Sequence, residues 1–258
     1  MKRASVHYGP HHAQVAELWR PARAQADRPV VVLLHGGFWR QIFTKRLMHR
    51  LAATVVAHGW IAYNIEYRRV GQFGRGGWPE TFQDVSDAIN SLGDVEGIDH
   101  QRVVTCGHSA GGHLALWAGS PRLIGEPTVD GTAIRPCAAI SLAGLVDLVA
   151  AAQLDLGRGA VRELMGGNPE ELPDRYALGS PASLLPIGIR QILIHGLADT
   201  TVPASLSAAY VDAAIGRGDD AEYVPVAGAG HMDMIDPHGA AIGEMLTRLD
   251  QIASTPSQ

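Results

Sequence analysis

The sequence lacks a block of basic residues, a long apolar run and a secretory signal, and each absence excludes a class of protein. Its formal net charge of −5 is mild, so we expect no nucleic-acid partner. The longest apolar runs, such as residues 30–34, have only the length of a strand, so we expect no membrane partner. Residues 4–14 contain no hydrophobic stretch that would direct secretion, which predicts a cytoplasmic protein.

Cysteine and metal-ligand spacing are equally sparse. The two cysteines, Cys106 and Cys137, fall in apolar segments, and we expect small core residues there rather than a disulfide. Four of the twelve histidines lie at predicted strand ends, namely His35, His108, His195 and His231. The chain has no Cys-x-x-Cys pair, and each of these histidines has a local explanation. We therefore expect neither a metal nor any other cofactor.

The composition is that of an ordinary globular chain, with 46% apolar and 18% charged residues. A length of 258 residues suits a single large domain, so we predict one domain over residues 1–258. We predict an edge strand at residues 15–19 and further strands at 30–34, 61–65, 102–106, 138–142, 192–194 and 222–226. Helices lie between them, and the last is predicted from about Pro237 to Ile252. This alternation predicts an α/β fold whose parallel sheet is covered by helices on both faces.

Residues 148–185 interrupt the alternation. Gly-Gly-Asn-Pro lies at 166–169, and further prolines lie at 173, 181 and 186. This pattern indicates a small helical insertion, which we interpret as part of a lid or cap over the functional site.

Gly107-His108-Ser109-Ala110-Gly111 carries the strongest functional signal. This Gly-x-Ser-x-Gly motif follows an apolar strand and precedes a helix, which is the context of a nucleophile elbow. Such a tight turn requires neighbours that are nearly free of side chain, and the two glycines supply them. We therefore predict Ser109 as a catalytic nucleophile.

A serine hydroxyl needs a neighbouring base, and a histidine base needs an acid. His231 lies in a loop after the last predicted strand, and Asp199 follows the strand before it. The order of serine, acid and histidine along the chain is that of the α/β-hydrolases. Asp147 is a rival acid, although we expect it to cap the first helix of the insertion. Asp233 and Asp236 are too close to His231 in sequence and are expected to start the last helix.

The loop after the first long buried strand reads His35-Gly36-Gly37-Phe38-Trp39. In this position it is expected to form the oxyanion hole, with backbone N–H groups of Gly37 or Phe38 acting together with that of Ala110. Gly36 lets the backbone approach the substrate. We also expect Phe38 and Trp39 to contact the substrate, because a loop that lines the pocket carries them.

Six segments together resemble the α/β-hydrolase superfamily, and within it the branch of small esterases and kynurenine formamidases (arylformamidases). They read HGGFW, NIEYR, GHSAGGH, GLVDL, HGLADTTVP and GAGHMDMI, and the resemblance covers most of the chain. It implies the α/β-hydrolase fold, with a mostly parallel twisted sheet of about eight strands. It also implies Ser109 as nucleophile, Asp199 as acid and His231 as base, with the oxyanion loop in HGGFW.

The resulting hypothesis is a serine hydrolase that cleaves an ester or linear amide of a small acyl group in a small-molecule substrate. Its activity would be that of an arylformamidase or of a short-chain esterase. A generic carboxylesterase without formamidase activity is one alternative. A catalytically inactive hydrolase fold that binds a ligand is an alternative of another class. We expect a monomer or a homodimer.

Overall fold

The computed structural model describes residues 1–22, 27–120 and 133–254. Eight strands form one sheet in the order β1-β2-β4-β3-β5-β6-β7-β8. The strands are β1 (Lys2–His7), β2 (Val15–Arg20), β3 (Arg28–Leu34), β4 (Ile61–Ile65), β5 (Ile98–His108), β6 (Ala138–Leu142), β7 (Arg190–Gly196) and β8 (Ala221–Val226). From β4 to β8 across the sheet all neighbouring strands run parallel, whereas β1 and β2 are antiparallel to their neighbours.

Nine α-helices lie within the described residues. They are α1 (His49–Ala57), α2 (Glu80–Asn90), α3 (Ala110–Trp117), α4 (Leu148–Gln153), α5 (Ala160–Met165), α6 (Pro173–Gly179), α7 (Pro181–Leu184), α8 (Ala204–Gly216) and α9 (Ala240–Ser254). None of the helices in this part of the chain is long and apolar enough to cross a membrane. The mostly parallel sheet with its helices is the α/β-hydrolase architecture that the sequence predicted.

The central strands are mostly apolar because helices cover both faces of the sheet. Every residue of β4 and β6 is buried, as are the last five of β3. One apolar core holds α2, α3, α8 and the helices of the insertion against one face. The other core holds α1 and α9 against the opposite face. This packing fixes the carboxyl ends of β3, β5, β7 and β8, where the predicted site residues follow.

The sequence prediction differs from the structure at two places, one near each end of the chain. The strand predicted as an edge at residues 15–19 is covered by β1, which pairs with it along its whole length. Residues 2–7 are mostly exposed and carry no apolar pattern, so nothing in their periodicity indicated a strand. The last helix begins at Ala240 rather than near Pro237, because a 3-10 turn occupies Met232–Ile235. The insertion is helical as predicted and consists of α4 to α7.

Candidate active site

Ser109 occupies a sharp turn between β5 and α3. Its backbone has φ 56° and ψ −119°, which is a strained conformation for a residue with a side chain. A Cβ atom on Gly107 would lie 2.0 Å from the carbonyl oxygen of Gly111, and one on Gly111 would lie 2.1 Å from that of Leu34. The turn therefore closes only with glycine at both positions. A hydrogen bond of 2.9 Å from the Ser109 N–H to the carbonyl of Leu142 ties the turn to β6.

The predicted oxyanion loop lies directly beside this serine. A Cβ atom on Gly36 would approach Ser109 Cβ to 3.0 Å and the His108 carbonyl oxygen to 2.8 Å. Glycine at position 36 is therefore needed for the loop to reach the elbow. The N–H of Ala110 is the first of α3, so no residue within that helix can accept its hydrogen bond. The structure thus brings Gly36, Ser109 and Ala110 together.

The loop then makes three successive residues with positive φ: 115° at Gly37, 52° at Phe38 and 56° at Trp39. A hydrogen bond of 3.0 Å from the Arg40 N–H to the Gly37 carbonyl closes the turn. The ring of Phe43 covers Gly37 so closely that a Cβ there would meet it at 2.9 Å. Phe43 is 41% exposed, and since no sequence motif includes it, nothing in the sequence indicated its position beside Gly37.

Trp39, which we expected to contact substrate, is fully buried instead. Its ring packs edge-on against His113 of α3, with 5.2 Å between the ring centroids. The left-handed turn directs this side chain into the core below the loop, so it supports the loop by packing. Phe38 remains half-buried, and its ring lies against Gly157 of the insertion.

His35 and its neighbours anchor the loop from the buried side. His35 Nε2 lies 2.8 Å from Glu66 Oε1, and the Tyr67 hydroxyl donates a 2.7 Å hydrogen bond to the His35 carbonyl. The Tyr67 ring also stacks on His35 at 4.4 Å. Burial alone would raise the pKa of the Glu66 carboxyl, but His35, Arg69 and the Lys45 N–H hold it below its ordinary value. The HGGFW and NIEYR segments are therefore joined in space.

Asp199 and His231, predicted as acid and base, lie within hydrogen-bonding distance of each other. His231 Nδ1 lies 2.7 Å from Asp199 Oδ2, and the carboxylate is fully buried. Asp199 Oδ1 accepts hydrogen bonds from the N–H groups of Thr201, at 2.7 Å, and Val202, at 2.9 Å. Burial raises the pKa of the Asp199 carboxyl, but the hydrogen bonds from His195, His231 and Val202 outweigh it and hold the pKa well below its usual range. The carboxylate is therefore ionised throughout the neutral range.

His108 joins the serine turn to the histidine loop. Its Nε2 lies 3.0 Å from the His231 carbonyl oxygen, and the two rings are 4.7 Å apart. Burial is the main cause that lowers the pKa of His108 to about 3, so the ring is neutral and its Nε2 donates to the carbonyl. Because His108 precedes Ser109, this contact places the loop of the predicted base beside the turn of the predicted nucleophile.

The rival acidic residues have local roles. Asp147 caps α4, and its Oδ1 accepts from the N–H groups of Val149 and Ala150 at 2.9 and 3.1 Å, as expected from the sequence. Asp233 accepts from the Gly230 N–H at 2.8 Å and so shapes the loop that carries His231. Asp236 accepts from the N–H of His238 at 3.3 Å. Neither Asp233 nor Asp236 starts the last helix.

The insertion is attached to the oxyanion loop through Arg40. The Arg40 guanidinium makes a forked ion pair with Glu163, with both N···O distances 2.7 Å. It also donates to the carbonyls of Gly157 and Arg158, at 2.7 and 2.9 Å. Arg40 follows Trp39 directly, so the position of the insertion and that of the loop are coupled.

Both cysteines are free, Cys106 buried and Cys137 half-buried. Across residues 1–22, 27–120 and 133–254, no three His, Cys, Asp or Glu side chains are grouped so that they could hold a metal ion. Nε2 of His35, Nε2 of His108 and Nδ1 of His231 each face a protein atom.

The chain is similar to several known esterases. It is 28% identical over 263 residues to Esterase LipC of Mycobacterium tuberculosis and 29% identical over 251 residues to the Isoprenylcysteine alpha-carbonyl methylesterase ICME of Arabidopsis thaliana. These alignments cover 93% and 90% of this chain but 62% and 57% of the relatives, so the chain spans about three-fifths of their length. A shorter alignment, 28% identical over 112 residues, covers 43% of this chain and 36% of a kynurenine formamidase of Salmo salar.

A solved structure has the same fold over nearly the whole chain. A thermophilic esterase of Thermogutta terrifontis, Est2 with propionate bound, superposes with a TM-score of 0.77 at 25% identity, covering 96% of this chain and 92% of the other. The family model BD-FAE matches residues 16–213, which is more than half of the chain. The chain therefore belongs to the BD-FAE family of α/β-hydrolase esterases.

Proposed function

We propose that this chain is a serine esterase in which Ser109 is the nucleophile, His231 the general base and Asp199 the acid that orients it. The observation that carries the proposal is the 2.7 Å hydrogen bond between His231 Nδ1 and the buried carboxylate of Asp199. This bond leaves His231 Nε2 as the nitrogen that takes a proton. The strained turn at Ser109, next to the His108 contact with the His231 loop, supports the assignment.

The reaction proceeds by two acyl transfers. Ser109 Oγ attacks the ester carbonyl carbon while His231 Nε2 takes its proton, and a tetrahedral oxyanion forms. The N–H of Ala110 and those of the Gly37–Phe38 segment donate to this oxyanion. His231 then protonates the leaving alcohol, the acyl-enzyme forms, and water activated by the same histidine releases the acid and restores Ser109.

The substrate class we propose is a carboxylic ester with a small acyl group. The relatives that align with most of this chain are named as esterases, and the Thermogutta esterase was solved with propionate bound. The insertion supports a short acyl site because it is held against the oxyanion loop by Arg40 and Phe38. A second candidate is cleavage of an N-formyl amide, which the shorter formamidase match and the HGGFW loop favour.

Rates on matched substrates test both candidates. We would compare kcat/KM for p-nitrophenyl acetate, p-nitrophenyl butyrate and N-formylkynurenine, with Ser109→Ala as the blank. We expect the acetate to be cleaved fastest and the formamide slowly, because the relatives that align with most of this chain are named as esterases. A formamide value above both esters would favour the arylformamidase instead.

Labelling with a fluorophosphonate distinguishes an enzyme from an inactive binding protein. The probe reacts with an activated serine, so we expect one label per chain at Ser109 and none in Ser109→Ala. A wild-type chain that is folded yet resists the probe would overturn the proposed nucleophile.

A further inference from the structure

Asp199 binds a second histidine that the proposed mechanism does not use. Its Oδ2 accepts from His231 Nδ1 at 2.7 Å and also lies 3.2 Å from Nε2 of His195. The other oxygen, Oδ1, is taken up by the backbone N–H groups of the 199–202 turn. The two histidines therefore share one carboxylate oxygen.

The surroundings of His195 fix which of its nitrogens carries the proton. Nε2 also faces the carbonyl oxygen of Val202 at 3.0 Å, and a carbonyl can only accept, so Nε2 is a donor. Nδ1 lies 2.7 Å from the Ser207 hydroxyl of α8, which can donate to it. The ring has no exposed surface. His195 is thus held by three segments: the end of β7, the 199–202 turn and α8.

We infer that His195 is a positioning residue that acts through Asp199, holding the carboxylate in place and moderating its effect on His231. This inference rests on the proposed roles of Asp199 and His231. A carboxylate oxygen that accepts two N–H donors shares its negative charge between them. With His195 in place, Asp199 stabilises the protonated imidazole of His231 less strongly than it would alone.

The titratable side chains that face this arrangement come from three strand ends. His195 lies near the end of β7 and Asp199 in the turn after it, His231 follows β8, and His108 ends β5. Burial lowers the pKa of His108 to about 3, so its charge does not change where an esterase works. A shift in the acid limb of the pH–rate profile therefore reports on the His195–Asp199–His231 group.

The decisive variant is His195→Leu, which removes the donor and keeps an apolar side chain in a buried position. We expect kcat per labelled active site to fall about 10–100-fold, the range found for residues that orient metal-binding histidines through a hydrogen bond, with KM little changed. We also expect the acid limb of kcat/KM to move to higher pH, because Asp199 then acts on His231 alone. Fluorophosphonate titration counts the reactive Ser109 sites, so a misfolded fraction does not distort the comparison.

Two controls separate positioning from simple packing. His195→Gln keeps an N–H donor at a similar reach and should recover most of kcat together with the wild-type acid limb. His113→Leu makes the same change at another fully buried histidine, whose Nε2 faces the Gly179 carbonyl at 2.8 Å and not Asp199. It should leave the acid limb unmoved.

Superimposable pH profiles for His195→Leu and wild type, after normalisation to labelled sites, would overturn the inference. If His195→Leu does not fold, Ser207→Ala takes its place, because it removes the hydroxyl that fixes the ring. A smaller shift in the same direction is then expected, and an unchanged profile contradicts the inference. Failure of wild type to take up the label would instead refute the proposed function itself.

Discussion

Asp199 and Asp147 are two aspartates at strand ends that have different surroundings. A buried oxygen of Asp199 accepts a hydrogen bond from His231, whereas an oxygen of Asp147 accepts hydrogen bonds from two backbone N–H groups at the start of α4. We expect Asp199→Asn to lower kcat about 10⁴-fold, because the amide favours the wrong tautomer of His231. Steady-state rates with p-nitrophenyl acetate measure this loss.

Asp147→Ala provides the matched comparison. Loss of the cap should lower the free energy of unfolding by about 0.5–2 kcal/mol, while kcat per labelled site stays at the wild-type value. Urea titration gives the first quantity and active-site titration the second. If Asp147→Ala were the variant with the larger loss of kcat, the assignment of the acid would be wrong.

Single residues were predictable from the sequence only where a motif has a fixed local geometry. Ser109, between its two glycines, could be found because the turn tolerates no side chain on either side. The contacts of Trp39 could not, since its burial depends on the left-handed turn before it and on His113, more than 70 positions away. The bond from His195 to Asp199 appears in no spacing rule either, because it depends on how the 199–202 turn folds back.

Among the secondary-structure elements, the serine turn and α9 carry glycines with opposite surroundings. Gly111 is packed against the backbone of β3, whereas Gly243 is exposed in α9 and a Cβ there would have no neighbour within 4 Å. We expect Gly243→Ala to raise the free energy of unfolding by about 1 kcal/mol, since alanine is the better helix former. Gly111→Ala should abolish both fluorophosphonate labelling and cooperative unfolding. Equal effects of the two substitutions in urea titrations would contradict this packing.

A substitution at Arg40 should affect both the insertion and the oxyanion loop. Arg40→Lys keeps the charge but loses the fork that binds Glu163 and two carbonyls. We expect faster hydrogen exchange in residues 155–165 and a lower kcat. Glu163→Gln removes only the ion pair, which is partly exposed and contributes about 1 kcal/mol or less, so its effect should be smaller. Exchange in 155–165 that is the same in Arg40→Lys and wild type would show that the insertion is held by other contacts.

Elements were predictable where both faces of a strand are buried. β4 and β6 are buried over their whole length and mostly apolar, with one polar residue each (Asn64 and Ser141), and their bounds match the sequence prediction. β1 has no such run, because it lies at the border of the sheet and most of its residues are exposed. Its place is set by backbone pairing with β2, and backbone hydrogen bonds leave no pattern in the side chains.

For the whole molecule, two buried histidines predict how stability depends on pH. Burial lowers the pKa of His108 to about 3 and that of His113 to about 4. In the unfolded chain a histidine titrates near pH 6.5, so between about pH 6.5 and pH 4 the unfolded state binds more protons. The free energy of unfolding therefore decreases as the pH is lowered through this window. At pH 5 the decrease is about 2 kcal/mol for each histidine.

Urea unfolding at pH 7 and pH 5 checks this dependence. The depressed carboxyls of Asp199 and Glu66 lose their contribution only below about pH 4, so they do not affect the comparison. His113→Gln keeps a donor for the Gly179 carbonyl but cannot titrate, and it should flatten the slope. His238→Gln, at an exposed position, should not. A slope that is the same in all three proteins would refute the role of buried histidine.

The attachment of Arg40 to the insertion has a consequence for protein engineering. Exchanging residues 148–184 for the corresponding segment of another esterase would remove the carbonyls and the carboxylate that hold Arg40, and with them the glycine beneath Phe38. The donor segment would then meet a loop shaped for a different partner. A chimera that is to change acyl preference should therefore transplant residues 36–43 and 148–184 as one unit.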